Sequence, residues 1–388
     1  MRAKAEKSTG LARAFELHQN RSERAKELHS EGRKIIGYMC CFPPAEMFTA
    51  LDIVPLRIFG DAAEPITQAD AHLETIMCPF VRSCFDLALK GRYDFLDGVV
   101  FPHSCDSVEK AYDIWRYYRP GNFDHLLNVP HMLKPESFKF FKKELQRFRS
   151  ALEEYSATKL TDDRLRQAIE AHNKNRALLR QLYNLRKPAP PLISGAETMR
   201  VVVANMVIPV EEGNALLAQV IAEVENGRGA RTERKPSRVL LYGAEVDDAA
   251  LIELVEDCGV NVVIDDLCVG SRHFWHDVEP TSDPLDGLAN RYLGKIPCPR
   301  TYRESPGDHH ADLENRFGYL KEFAQQWDVS AAILYIIRYC DTFELDAPDV
   351  RDYLGELGYP VLHLEHDYSL STTGQFRTRL EAFLEMIE

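Results

Sequence analysis

The sequence lacks the features that mark membrane, secreted and nucleic-acid-binding proteins. Its apolar runs, such as Ala331–Ile337, are far shorter than the roughly 18 residues that a membrane-spanning helix needs. The chain opens with charged residues instead of an apolar signal region, so we expect a cytoplasmic protein. It holds 47 Lys and Arg against 60 Asp and Glu, a formal net charge of −13, which argues against binding to nucleic acid phosphates.

Motifs of several common enzyme classes are also missing. There is no GxxxxGK[ST] phosphate loop, so the chain does not carry an ATP site of that type. The HExxH, GxSxG and GxGxxG patterns of zinc proteases, serine hydrolases and dinucleotide-binding domains do not occur. No CxxC pair is present, which removes the main signature of zinc fingers and of thioredoxin-like redox chemistry.

What the sequence does contain is nine cysteines, an odd number in a chain without secretory features. A disulfide framework is therefore not expected. The thiols are predicted to serve as buried packing, metal ligands or nucleophiles. With 45% hydrophobic and 28% charged residues the chain has the composition of a folded globular protein, so these thiols lie in an ordinary core or site and not in a disordered segment.

Short apolar runs alternate with helical patterns through most of the chain. Strands that are apolar on both faces and separated by helices form parallel sheets covered on both sides. We therefore predict an α/β fold with two open parallel-sheet domains. The predicted strands span residues 35–42, 53–59, 96–101, 238–242, 260–265, 330–337 and 361–364.

Two long helical patterns separate the two sets of strands. They span 137–156 and 162–185, and Thr161 is the expected N-cap of the second. The three prolines and the glycine within 186–195 cannot continue a helix, so a domain boundary is predicted there. The resulting division is an N-terminal helical segment 1–34, an α/β domain with a helical arm 35–190, and a second α/β domain 191–388.

Three cysteines lie where an open α/β sheet binds its ligands, past the carboxyl end of a strand or at the start of a helix. Cys105 follows the strand 96–101, and Cys340 follows the strand 330–337 in the same way. Cys78 lies at a break that precedes a helix. Free N–H groups at a helix start stabilise a thiolate, as a nucleophile or a metal ligand requires. The wide spacing of the three cysteines along the chain suits ligands of a cluster at a domain interface. The alternative is that the three thiols are buried packing.

A set of short segments extends over nearly the whole chain. Together, in this order, they resemble the 2-hydroxyacyl-CoA dehydratase and benzoyl-CoA reductase family. They read GYMCCFPPAE at 37–46, ALDIVPLR at 50–57, HSCD at 103–106, DIW at 113–115, DDLCVGSR at 265–272, RYLGKIPCPR at 291–300, YCD at 339–341 and TRLEAF at 378–383.

The resemblance implies two flavodoxin-like domains with an intervening helical layer and an oxygen-sensitive [4Fe–4S] cluster at the domain interface. The ligands that it implies are Cys78, Cys105 and Cys340, with the fourth iron position open. It implies a subunit of an (R)-2-hydroxyacyl-CoA dehydratase, a lyase, or of a benzoyl-CoA reductase, an oxidoreductase. Such enzymes use single-electron, ketyl radical chemistry on an acyl-CoA or aromatic-CoA thioester under anaerobic conditions.

Partners follow from the same resemblance. It implies a homologous second subunit, with a homodimer as the alternative, and a separate ATP-hydrolysing iron–sulfur activator. Two other functions are compatible with these residues. One is a small-molecule reductase of the double-cubane type, and the other is a non-catalytic electron-relay subunit of such a complex, which a fourth thiolate on the cluster would favour.

Glu46 matches the PxE motif of the family, which implies a catalytic proton donor or acceptor near the thioester carbonyl. Burial beside an apolar acyl group would raise the pKa of such a carboxyl group. The alternative is a carboxylate at a helix start that interacts favourably with the helix dipole.

Other residues are possible members of the pocket. Cys40 could line it, whereas Cys41 would face the opposite way on a strand. Arg82 could pair with the cluster or a CoA phosphate, or form a surface ion pair, and His103 could polarise the pocket or bond to the backbone. The remaining thiols are predicted to be structural: Cys84, Cys258, Cys268 and Cys298. For Cys268 and Cys298 the alternative is a position bordering the substrate.

Overall fold

Two parallel four-stranded sheets form the centre of the molecule. The computed structural model describes residues 9–227 and 235–387. In the first half of the chain the strands are β1 (Ile35–Tyr38), β2 (Val54–Arg57), β3 (Gly98–Pro102) and β4 (Phe123–Leu127). In the second half they are β5 (Ser237–Gly243), β6 (Val260–Asp266), β7 (Ala331–Ile337) and β8 (Val361–His366).

The two sheets share one topology. Their strand orders are β2-β1-β3-β4 and β6-β5-β7-β8, and every neighbouring pair is parallel. In each sheet the strand order reverses beside the opening strand, between β1 and β3 and between β5 and β7. Ligands of open α/β sheets bind at such switch points, past the carboxyl ends of the strands. The predicted α/β fold with two open parallel sheets is confirmed.

Helices cover both sheets. No helix in the described ranges combines the length and the apolar character needed to span a bilayer. The helices are α1 (Gly10–Gln19), α2 (Glu23–Ser30), α3 (Ala45–Thr49), α4 (Pro79–Leu89), α5 (Asp106–Tyr118), α6 (Pro135–Ser156), α7 (Asp162–Asn184), α8 (Gly195–Asn205), α9 (Val210–Glu225), α10 (Ala249–Asp257), α11 (Ser271–Phe274), α12 (Pro284–Ala289), α13 (His309–Gln326), α14 (Asp341–Glu356) and α15 (Thr373–Ile387). Short 3₁₀ turns lie at Ala69–Ala71 and Leu370–Thr372, and a π-helical turn lies at Asn290–Lys295.

The local sequence signals are well reproduced. The two long helices are α6 and α7, and the Thr161 hydroxyl accepts the N–H of Arg164 at 3.3 Å, as an N-cap should. The sequence pattern did not predict β4 or α8. The three central residues of β4 are only half-buried, and Asp124 and His125 interrupt its apolar run, which is typical of an edge strand.

Packing crosses the predicted segment boundaries. One hydrophobic core includes residues from both sheets, for example Phe101 of β3 and Leu240 of β5. A second core joins α3, α6, α7 and α12, with the rings of Phe48 and Phe148 5.5 Å apart. Helix α1 packs on α8 and α9, where Glu223 accepts the N–H of Gly10 at 2.6 Å. The segments therefore do not have separate cores within the described residues.

Candidate functional site

Three helices begin at the three cysteines named as cluster ligands. Cys78 is the N-cap of α4, Cys105 of α5 and Cys340 of α14. Two backbone N–H groups in the first turn of α4 hydrogen-bond the Cys78 sulfur, and two at the start of α5 hydrogen-bond the Cys105 sulfur. Such N–H groups have no partner inside a helix, so they are available to stabilise negative charge on sulfur.

All three cysteines line one cavity of about 70 Å³. Cys40, Cys268 and Cys298 line it as well, so six of the nine thiols of the chain surround a single space. The cavity lies beyond the carboxyl ends of strands from both sheets, at both switch points. The ends of β1, β3, β5, β6 and β7 are followed, in that order, by the wall residues Cys40, Cys105, Glu245, Cys268 and Cys340.

The donor set of this cavity fits an iron–sulfur cluster. Cysteine thiolates are the usual ligands of such clusters, and apolar side chains such as Phe80 and Ile337 complete the wall. Burial raises the pKa of Cys78 to about 11 and that of Cys105 to about 12. Burial also raises the pKa of Cys340 well above its usual value. In the metal-free chain these three thiols therefore hold their protons more tightly than ordinary thiols, and metal binding would displace those protons.

Cys40 lies in a strained turn and not on a strand. Strand β1 ends at Tyr38, and Cys40 has a φ of 60°, in the left-handed region. The expectation that Cys40 and Cys41 face opposite ways rested on an extended strand, and the two thiols instead hydrogen-bond each other. That bond lowers the pKa of Cys40, with help from the charge of Arg57 and against the effect of burial. Cys40 thus has more thiolate character than its neighbours.

Glu245 is a buried carboxyl group in the cavity wall that the sequence patterns did not single out. Its Oε1 accepts from Arg57 at 2.5 Å, whereas its Oε2 has no hydrogen-bond partner among the described residues. Burial raises the pKa of Glu245 to about 7, although the charge of Arg57 opposes this. The strand-end rule that selected the cysteines would also have found it, because Glu245 lies two residues beyond β5.

Glu46 occupies a different place from the one expected. It does not line the cysteine cavity but lies buried between helices, where Oε1 accepts from Arg176 and Oε2 accepts from the Tyr292 hydroxyl at 2.7 Å. Burial alone would raise its pKa, but the charges of Arg176 and its other neighbours, with the hydrogen bond from Arg176, together outweigh burial and lower the pKa. The expectation of a raised pKa is therefore wrong, because the sequence could not reveal the buried arginine. An ionised Glu46 has no proton to donate.

Arg82 and His103 both lie outside the cysteine cavity. The Nε of Arg82 donates to Asp70 at 3.0 Å, so the surface ion pair is the arrangement that the structure contains. The Nε2 of His103 lies 3.4 Å from Glu109, and the potential ligand atoms of His103, Asp106 and Glu109 lie within 4.8 Å of one another. This half-exposed group lies at the start of α5.

The other thiols divide into two pairs. Cys268 and Cys298, predicted to be structural or to border the substrate, are in the cavity wall. The Cys268 sulfur accepts from Arg272 at 3.2 Å. Cys84 is fully buried in the main core, and Cys258 is half-buried at the end of α10. Neither of these two lines the cavity.

Arg300 fixes the loop 297–303 against the first half of the chain and lines the cavity. Its guanidinium also stacks on the ring of Phe42, 4.9 Å from the ring centre. It donates to the backbone carbonyls of four residues: His103, Ser104, Val129 and Pro130. With its donors used in this way, Arg300 closes one side of the site.

Known proteins similar to this chain are consistent with one family. A family model described as 2-hydroxyglutaryl-CoA dehydratase, D-component, matches residues 40–387. One of the benzoyl-CoA reductase subunits of Thauera aromatica is 28% identical over 92% of this chain and 91% of its own. The putative dehydratase subunit YjiM of Escherichia coli strain K12 is 27% identical over 93% of both chains. The (R)-phenyllactyl-CoA dehydratase beta subunit of Clostridium sporogenes is 25% identical over 93% of this chain and 94% of its own.

Proposed function

Since the chain belongs to the 2-hydroxyglutaryl-CoA dehydratase D-component family, we propose that it is an iron–sulfur subunit of an enzyme that acts on an acyl-CoA thioester. The relatives include both dehydratase subunits and a benzoyl-CoA reductase subunit, so the proposal covers both reactions. The shared requirement of the two is a low-potential electron delivered beside a thioester carbonyl.

One observation supports this function above the others: three cysteines that cap three helices line one cavity between two sheets. We propose Cys78, Cys105 and Cys340 as the ligands of a [4Fe–4S] cluster. When bound, such a cluster supplies a single electron and, at an iron without a protein ligand, a Lewis acid for the substrate carbonyl. The chain itself contributes the helix-start N–H groups and the apolar walls that exclude water.

Glu245 takes the proton-handling role that the family resemblance had suggested for Glu46. Arg57 holds its Oε1, so Oε2 is the atom that can carry and release a proton. A carboxyl group with a pKa of about 7 is divided between its two states at neutral pH, which is the condition for efficient general acid–base catalysis. The buried ion pair of Glu46 gives that residue a positioning role.

A second candidate function rests on Cys40. Its thiol lines the same cavity, and its lowered pKa makes it a ready fourth ligand. A cluster with four thiolates has no open iron for a substrate, and the chain would then be an electron-relay subunit. This alternative keeps the cluster and removes the chemistry on the thioester.

Partners belong to the same proposal. The relatives carry the word subunit in their names, and we infer that this chain also pairs with a homologous second chain. Apolar side chains are exposed close in sequence to two of the cysteines, Cys78 and Cys340: Ile76 is 67% exposed and Leu345 is 77% exposed. Exposed apolar residues in such a place favour a protein partner. Because the sequence has no phosphate loop, ATP hydrolysis would come from a separate activator.

Anaerobic purification followed by iron and sulfide analysis tests the cluster. We expect about four iron and four sulfide per chain, as for any [4Fe–4S] protein. Replacing Cys78, Cys105 and Cys340 together by serine should remove the iron, whereas Cys258→Ser, outside the cavity, should retain it. A purified chain without iron, or full iron content in the triple variant, would refute the ligand assignment.

A further inference from the structure

A second cavity, of about 330 Å³, adjoins the cysteine cavity. The two share the wall residues Cys298 and Arg300. The loop 297–303, the end of β5 and the helices α13 and α14 form the remaining wall. A group bound in this second cavity would therefore lie beside the site proposed for the cluster.

Two hydroxyl groups in this region are buried without partners. The Tyr242 hydroxyl and the Thr301 hydroxyl have no hydrogen-bond partner among the described residues, and the two residues are 0% and 5% exposed. Burial raises the pKa of Tyr242 well above its usual value, so its hydroxyl remains a donor. Buried polar groups in native proteins nearly always find a partner, so these two hydroxyls call for one that is absent from the chain itself. Tyr319 differs, because its hydroxyl donates to Asp266 at 2.7 Å.

Arg303 supplies a positive charge with no carboxylate of its own. In the described part of the chain no carboxylate oxygen lies within 4 Å of its guanidinium, and its one hydrogen bond reaches the Ile296 carbonyl at 3.4 Å. The neighbouring Arg300 is fully used by backbone carbonyls. The third arginine of the wall, Arg316, is engaged by three carboxylates, those of Asp312, Asp346 and Asp349.

We propose that this cavity binds an anionic oxygen group of the thioester substrate, with Arg303, Tyr242 and Thr301 as its donors. Two hydroxyls without partners and an arginine without a carboxylate call for an acceptor-rich ligand, and a charged acceptor makes the strongest hydrogen bonds with them. Asp312 and Asp346 are the acidic residues of the wall, and the three arginines Arg300, Arg303 and Arg316 outnumber them. The oxygen group is a carboxylate on the acyl chain or a phosphate of coenzyme A. This inference rests on the proposed function, because the acyl-CoA substrate of that proposal is the source of the carboxylate or phosphate.

Calorimetric titration of the purified chain with three ligands tests the inference. The ligands are free coenzyme A, hexanoyl-CoA and adipoyl-CoA, of which only the last carries a carboxylate at the far end of its acyl chain. The variants are Arg303→Gln and Tyr242→Phe. Tyr242→Phe removes a hydroxyl that bonds to nothing in the described chain, so the thermal stability of the unliganded protein should not fall.

Both variants should weaken binding by roughly tenfold, the size expected for one hydrogen bond to a charged group. If the anion is the carboxylate, adipoyl-CoA binds more tightly than hexanoyl-CoA, and the variants abolish that difference. If it is a phosphate, the variants weaken all three ligands equally. Unchanged affinities for every ligand in both variants, or no binding to the natural chain, would overturn the inference.

Matched controls separate this site from general effects on the fold. Tyr353→Phe removes a hydroxyl that donates to Glu314 at 2.6 Å, and Arg351→Gln removes an exposed charge, and both lie outside the cavity. Neither should change the affinities. Iron content is measured on the same preparations. If the purified chain contains no iron but both variants still weaken ligand binding, the cluster is refuted and the anion site stands. If the chain contains iron but neither variant weakens binding, only the anion site is refuted.

Discussion

Glu46 and Arg176 form a fully buried ion pair that joins helix α3 to helix α7 across 130 residues of sequence. The Tyr292 hydroxyl donates to the second carboxylate oxygen, so all of the negative charge is used inside the protein. Ion pairs of this kind fix the position of the elements that they join, because a misplaced partner leaves a buried charge unpaired. Here they fix the helical layer against the strand end that carries Cys40.

Glu46→Ala should therefore destabilise the protein strongly. Removing one partner of a buried pair leaves Arg176 uncompensated, and we expect a loss of about 3 to 5 kcal/mol in the free energy of unfolding. Urea unfolding at pH 7 measures this loss. The double variant Glu46→Leu, Arg176→Met should recover much of it, since neither charge of this pair then remains buried. A Glu46→Ala protein of natural stability that has lost only activity would mean that Glu46 is catalytic after all.

Glu245→Gln should act on catalysis and leave the cluster in place. The amide cannot carry the proton, so turnover should fall by roughly 10²- to 10⁴-fold, as for the loss of a general acid or base. The inflection near pH 7 that the natural enzyme should show would disappear. Iron content, measured as the control, should stay unchanged because Glu245 is not a proposed ligand.

The same substitution should change the pH dependence of stability. The pKa of Glu245 is about 7 in the folded chain and has an ordinary value of 4.5, so the folded state holds the proton more tightly than the unfolded state. The stability that Glu245 contributes by holding this proton is therefore fully present below pH 4.5 and is lost as the pH rises to about 7. Thermal unfolding should therefore show a smaller loss of stability between pH 5 and pH 8 in Glu245→Gln than in the natural chain. Equal losses in the two proteins would contradict a raised pKa.

His366 should make the protein sensitive to acid. Its ring stacks on Tyr335 with 3.7 Å between ring centres, and its Nδ1 accepts the N–H of Tyr368 at 3.1 Å, so the folded state needs the neutral ring. Burial lowers its pKa from 6.5 to about 3. The stability contributed by the neutral His366 ring is thus fully present above pH 6.5 and is lost as the pH falls from there towards 3.

His366→Gln, compared with the natural chain, measures this contribution. Between pH 7 and pH 5 the free energy of unfolding of the natural chain should fall by roughly 2 kcal/mol more than that of the variant. This is the effect of one buried histidine over the roughly 1.5 pH units below its ordinary pKa. The exposed His309→Gln serves as the control and should follow the natural chain. Parallel curves for all three proteins would rule out a buried neutral histidine at position 366.

Cys40→Ser decides between an open and a closed cluster. With an open iron site, the variant should keep its iron and its electron paramagnetic resonance spectrum, and acyl-CoA should still perturb that spectrum. With Cys40 as fourth ligand, the spectrum of the variant should differ from that of the natural protein before any substrate is added. Cys84→Ser, in the core outside the cavity, is the control for loss of a buried thiol.

Much of the architecture could be read from the chain. Alternating apolar runs and helices predicted the two parallel sheets, and the strand-end rule placed Cys105 and Cys340 at the edges where they are found. These features depend on local periodicity and on chain direction, which the sequence records directly. The same rule applied to every strand would have added Glu245 and Cys268, which lie two residues beyond β5 and β6.

The tertiary structure alone decided which groups share a space and which charges meet. Cys298 lies in no strand and reaches the cavity through a loop that Arg300 fixes by long-range hydrogen bonds. Glu46 was a reasonable acid in the sequence, yet its ionisation depends on an arginine 130 residues away. The pKa of a buried group follows from burial and from partners brought in by the fold, neither of which local sequence encodes. The sequence thus determined the sheets and the helix-capping cysteines, and the packing of the two halves decided the chemistry of the cavity between them.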